Sequence, residues 1–73
     1  MSKSSSLKMQ FGTRVRQLRK ELNISQEELG FQTELDRTYI SGIERGARNP
    51  SLENIGKLAE ALKVPLSQLF SFQ

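Results

Sequence analysis

The stretch Ser25–Gly46, SQEELGFQTELDRTYISGIERG, leaves few folds open to a chain that carries it. Ser25 followed three residues later by Glu28 is the S-x-x-E arrangement in which each side chain satisfies a free amide at a helix start. That helix is predicted to carry Leu29 inward and to end near Thr33. A second helix opens at Asp36, whose carboxylate suits an N-cap. On it Ile40 and Ile43 lie three apart on one face. At about 100° per residue, Arg37, Thr38, Ser41 and Arg45 gather on a stripe roughly opposite. One face is to be buried, and the other presents long cations and short hydroxyls to whatever lies outside.

The flanking sequence supplies the rest of a small bundle. Residues 1–6 are polar and Ser-rich and are expected to form a flexible arm, leaving 7–73 as a single domain. Phe11, Val15, Leu18 and Leu22 recur at helical spacing, which predicts an amphipathic first helix. Arg19 lies beside that stripe and needs a partner. Gly46 suits a C-cap, Ala47–Pro50 is a loop, and Pro50 stops any continuation. Ser51 caps a fourth helix bearing Leu52, Ile55, Leu58, Ala59 and Leu62. Val64-Pro65 breaks it, and Leu66–Phe70 is expected as a short fifth helix. The predicted fold class is all-α, a compact five-helix bundle. Its last two helices carry more apolar surface than a chain this short can enclose. Leu52, Ile55, Leu66, Leu69, Phe70 and Phe72 are therefore expected to divide between the core and the interface of a homodimer.

Composition narrows the chemistry. The 73 residues contain no Cys and no His. The one Asp is assigned to a helix cap, so nucleophile–base arrangements and metal sites are hard to assemble. Seven Glu remain, scattered over helix surfaces, and no glycine-rich phosphate loop is present. No catalytic residue, cofactor or metal is expected. No apolar run approaches the length of a membrane span, so a soluble, cytoplasmic protein without a membrane partner is expected. Net charge is +3, and its distribution says more. Residues 1–20 hold six cations and no acid, whereas 21–36 hold five acids and no base. Such sectoring suits a polyanionic partner on one side, although ordinary solvated helix faces would give the same pattern.

A capped helix, a tight turn and a second helix with a cationic outer face make a helix-turn-helix. Read as a DNA-binding motif, it assigns roles residue by residue. Arg37 can grip guanine O6 and N7 in the major groove, with a phosphate contact as the alternative. Thr38 and Ser41 are short enough to let the helix sit deep, and their hydroxyls can reach a base or a phosphate. Ser41 can equally bond its own backbone. Tyr39 either packs or turns its hydroxyl to a phosphate. Arg45, near the helix end, favours a phosphate. Arg14, Arg16 and Lys20 are read as solvated.

The motif resembles that of the phage repressor and Cro-like DNA-binding family, whose fold is the lambda-repressor-like domain. The run LDRTYISGIERG, followed by Arg48-Asn49-Pro50, resembles more narrowly the controller proteins of restriction–modification systems. The resemblance covers roughly residues 9–70. It implies that Gln26 anchors a backbone phosphate, that Arg48 and Asn49 contact DNA from the loop, and that Arg19 forms a buried structural ion pair with Glu44. Two positions depart from the family pattern: Gly30 stands where Ala is common, and Glu34 where the turn usually has Gly or Asn. The implied function is a sequence-specific transcriptional regulator binding palindromic operators as a homodimer. It would activate at low occupancy, in contact with RNA polymerase, and repress itself at higher occupancy. The alternatives are a chromosomal or phage repressor of the same family, or a protein-interaction module that reuses the fold.

Overall fold

The structure, a computed structural model, describes residues 3–72. Five helices follow in order: α1 (Lys3–Glu21), α2 (Gln26–Thr33), α3 (Arg37–Glu44), α4 (Leu52–Leu62) and α5 (Leu66–Leu69). All regular structure among the described residues is helical, in agreement with the all-α class. Helix α1 takes in residues 3–6 of the segment expected as an arm, a stretch with neither proline nor glycine of its own. Met1 and Ser2 of that segment lie outside the described residues.

Each helix is started and stopped by local chemistry. Ser25 Oγ accepts the Glu28 amide at 2.9 Å, and Ser51 Oγ accepts the Asn54 amide at 3.1 Å. The Glu28 carboxylate accepts from Gln32 Nε2 rather than turning back on Ser25. Asp36 occupies the N-cap position of α3 without a side-chain cap bond, its carboxylate being taken by the Thr38 hydroxyl. The first four helices end alike. One residue after each enters the left-handed region: Asn23, Glu34, Gly46 and Lys63. The next amide reaches back five residues, as Leu35 N–H does to Gly30 O at 2.9 Å and Val64 N–H to Ala59 O at 3.1 Å. This is the Schellman motif, which satisfies carbonyls that a helix end otherwise leaves open. Glu34 does take the left-handed conformation, with φ 61° and ψ 31°. Its turn folds back so closely that a Cβ on Gly30 would lie 2.7 Å from the Leu35 carbonyl oxygen.

The core draws on every helix. Phe11, Val15 and Leu18 come from α1, Leu29 from α2, Ile40 and Ile43 from α3, Leu58, Ala59 and Leu62 from α4, and Leu69 from α5. Burying such side chains contributes roughly 1.5–3 kcal/mol each. Helix α3 packs against both α1 and α2. Its approach to α1 depends on Gly12, where a Cβ would stand 2.2 Å from Ile43 O and 2.7 Å from Glu44 O.

Two side chains lie elsewhere than the sequence suggested, and the division of the C-terminal apolar residues is settled for a third. Leu69, grouped with the interface candidates, is 0% exposed and belongs to the core, because the four-residue α5 turns it alone inward. Leu22 falls in the turn after α1 and is exposed. Arg14, read as solvated, instead fastens α5 to α1: its Nε donates to Gln68 O at 2.8 Å and its Nη2 to Gln68 Oε1 at 2.7 Å. Of the remaining apolar groups, Leu52 (79% exposed), Leu66 and Phe70 (47%) face outward. Ile55 and Phe72 are half-buried against the core, and the Phe70 ring lies 5.2 Å from that of Phe11. Phe31 on α2 is 81% exposed, which nothing in the sequence reading anticipated.

Candidate nucleic-acid interface

Helix α3 is divided lengthwise. Ile40, Gly42, Ile43 and Glu44 are buried, and Arg37, Thr38 and Arg45 are exposed with Ser41 at their edge. The isoleucines form the seat and the outer stripe is hydrophilic, so burial fixes which side chains of α3 face outward. Arg37, in the first turn, makes no hydrogen bond or ion pair among the described residues, so its fork of donors is open to an acceptor. Thr38 donates to the Asp36 carboxylate, which leaves its lone pairs to accept from a base amino group. Ser41 Oγ accepts from Arg45 Nε at 3.4 Å, so the two share one contact along the stripe.

The loop after α3 is held against that helix. Ala47 and Arg48 amides both donate to Gly42 O, at 2.8 and 3.2 Å. The Arg48 side chain crosses Gly42 where any Cβ would meet its Cγ at 2.4 Å, and its guanidinium lies 5.1 Å from the Tyr39 ring centroid. Such a cation–π contact contributes about 0.5–1 kcal/mol at an exposed site. Tyr39 is half-buried and its hydroxyl accepts from Asn54 Nδ2 at 3.2 Å, so it braces the loop against α4. Asn49 is exposed beside Arg48.

Beneath the stripe, one polar network joins three helices. Arg19 Nε and Nη2 donate to the two carboxylate oxygens of Glu44 at 2.7 and 3.0 Å, a bidentate pair with both residues buried. Arg19 Nη1 donates to Ile24 O at 2.9 Å. Gln26 Nε2 donates to Glu44 Oε1 at 3.1 Å, so the first residue of α2 is tied to the last of α3. The hydrogen bond that Arg19 donates to Glu44 outweighs desolvation and raises the Arg19 guanidinium above its ordinary range. No buried side-chain nitrogen or oxygen among the described residues lacks a partner. The site thus brings Gln26, Arg37, Thr38, Ser41, Arg45, Arg48 and Asn49 onto or beside one face, with Tyr39 as support. No group of three or more His, Cys, Asp or Glu among the described residues could hold a metal ion. No described helix is long and apolar enough to cross a membrane.

Comparison with known proteins places this geometry. A helix-turn-helix family model matches residues 15–69. The chain belongs to the helix-turn-helix family of DNA-binding transcription regulators. It is 49% identical over 70 residues to control protein C.BamHI of Bacillus amyloliquefaciens, covering 94% of this chain and 86% of that one. It is 47% identical to control protein C.MunI of a Mycoplasma species, with 92% of each chain covered. Among solved structures, the restriction–modification controller protein C.AhdI from Aeromonas hydrophila matches with a TM-score of 0.87 and 49% identity, over 89% of this chain and 98% of that one. Within the family, the chain is a controller protein of the restriction–modification type. A further relative, C.Esp1396I, is 34% identical with a TM-score of 0.80, over 88% of this chain and 84% of that one, and is known as a tetramer on its natural 35-base-pair operator. These relatives are DNA-binding regulators, not enzymes.

Proposed function

We propose that the protein acts as a homodimer on two-fold operators, inserting α3 of each copy into the major groove. The observation that carries this is the lengthwise division of α3: a fully buried isoleucine seat behind an outer stripe of Arg37, Thr38, Ser41 and Arg45. Arg37 reads a guanine. Gln26, Arg45, Arg48 and Asn49 hold backbone phosphates, and Thr38 and Ser41 let the helix sit deep. Arg19 and Glu44 serve the fold rather than the DNA. The exposed Leu52, Leu66 and Phe70, with the half-buried Ile55 and Phe72, form the two-fold interface. As a controller, the protein works in the cytoplasm on its own promoter and that of a restriction endonuclease. It activates through contact with RNA polymerase at low occupancy and represses at higher occupancy. The operator complex of C.Esp1396I supports the DNA partner, and the cationic stripe disfavours a protein-binding adaptor.

Binding titrations on a panel of single-base operator variants test the readout. Arg37→Ala is expected to weaken specific binding by about 1–3 kcal/mol and to relax preference at one base position per half-site. Arg48→Ala should weaken all sequences alike. An Arg37→Ala protein that kept its full base preference would overturn the assigned contact.

A further inference from the structure

Arg16, a solvated cation by its place in the sequence, lines a concave notch on the molecule's surface with Arg19, Gln26, Ser41, Glu44 and Arg45. The notch lies where α1, the start of α2 and the end of α3 meet. Three guanidinium groups and one carboxylate line it, so it favours an anion. Arg19 is spent: its Nε and Nη2 are on Glu44 and its Nη1 on Ile24 O, which also neutralises the one acid present. Arg16 is exposed, makes no hydrogen bond or ion pair among the described residues, and rises from α1 on one side. Arg45 comes from α3 on the other, steadied by Ser41 Oγ at 3.4 Å. Between them sits Gln26 at the start of α2, its amide fixed by Glu44 Oε1, where the first helix amides point outward. Arg16, which is uncommitted, and Arg45, whose Nη groups make no hydrogen bond among the described residues, line one notch beside a helix start and together fit a phosphodiester oxygen pair.

We infer that Arg16 and Arg45 clamp one DNA backbone phosphate in this notch, and that Ser41 is a positioning residue for Arg45 rather than a base reader. The inference rests on the DNA-binding reading above and adds to it a contact from α1, outside the helix-turn-helix itself. A phosphate held from α1 and α3 together would fix the angle at which α3 enters the groove, because the two helices cannot slide independently once both are charged onto one oxygen pair.

The test is a set of anisotropy titrations of labelled operator and of scrambled duplex over a salt series, for wild type, Arg16→Gln, Arg16→Lys, Arg45→Gln and the double Gln variant. Circular dichroism melts serve as a check on folding, since both side chains are exposed. Arg16→Gln should lose affinity severalfold on both duplexes alike, and Arg16→Lys should keep most of it. Because the two cations share one phosphate, the double variant should lower the salt slope by about 0.9, the value for one phosphate, rather than twice that. Its affinity loss should differ from the sum of the single losses. A wild type that binds operator while Arg16→Gln matches it in affinity and slope would overturn the clamp and leave the DNA reading intact. A wild type that binds neither duplex would overturn both.

Discussion

Among the described residues, three left-handed positions are not glycines: Asn23, Glu34 and Lys63, at φ 59°, 61° and 62°. Asparagine tolerates that conformation, but Glu and Lys carry a Cβ that crowds the following carbonyl, at a cost of about 1–2 kcal/mol. Replacing either by Gly relieves the crowding, which outweighs the cost of a looser unfolded chain, so Glu34→Gly and Lys63→Gly should each stabilise by up to about 1 kcal/mol. Gly30→Ala should do the opposite despite the better helix propensity of Ala, because its methyl would meet the Leu35 carbonyl, which is backbone and yields little. A loss of about 1–3 kcal/mol is expected there. Urea unfolding of the three variants checks all of these, and a stabilised Gly30→Ala would show that the turn relaxes more freely than its geometry implies. The departures at 30 and 34 therefore belong to one turn. The glycine makes room for the returning carbonyl, and the glutamate carries the strained φ.

Between elements, the strongest single device is the Arg19–Glu44 pair, which locks the end of α3 to the end of α1. Removing one partner strands a buried charge, so Arg19→Met or Glu44→Leu should each cost about 3–5 kcal/mol. The double variant should cost less than the sum, and thermal melts of the four proteins give the coupling directly. Since the folded Arg19 is raised, its contribution is complete below the unfolded value and is lost only as pH climbs through the folded one. Melts from neutral to mildly alkaline pH should then show no loss traceable to this pair. How far such features were legible depends on their range. Helix starts and stops at Ser25, Ser51, Pro50 and Pro65 are decided within a turn of chain, so the element order could be read in advance. Arg14 on Gln68 spans 54 positions, and no local pattern encodes it. Helix α5 is too short for periodicity to tell Leu69, which is enclosed, from Phe70, which is not. The four C-terminal caps follow one geometry, yet only Asn23 and Gly46 announce it in their residue types. Within the site, the outer stripe of α3 followed from spacing, whereas the stacking of Arg48 on Tyr39 needed the loop's path over Gly42.

For the molecule as a whole, Leu52, Leu66 and Phe70 are large apolar side chains facing outward, and the proposed two-fold interface would cover them. Leu52→Glu/Phe70→Glu should yield a folded monomer in sedimentation, with operator affinity reduced because the two recognition helices are no longer held about 34 Å apart. Leu69→Glu serves as a contrast and should unfold the protein, since that side chain has no exposed surface. A double variant that stays dimeric would move the interface elsewhere. Gly12 carries a different lesson. It seats the recognition helix by backbone against backbone, through the carbonyls of Ile43 and Glu44, with no outward side chain taking part. Substitution at 37 or 38 can therefore drift through many residue types while the anchorage stays the same. On the DNA-binding reading proposed above, a lineage built this way can change the operators it favours, and two systems sharing a cell can diverge in address, without either regulator passing through an unfolded ancestor.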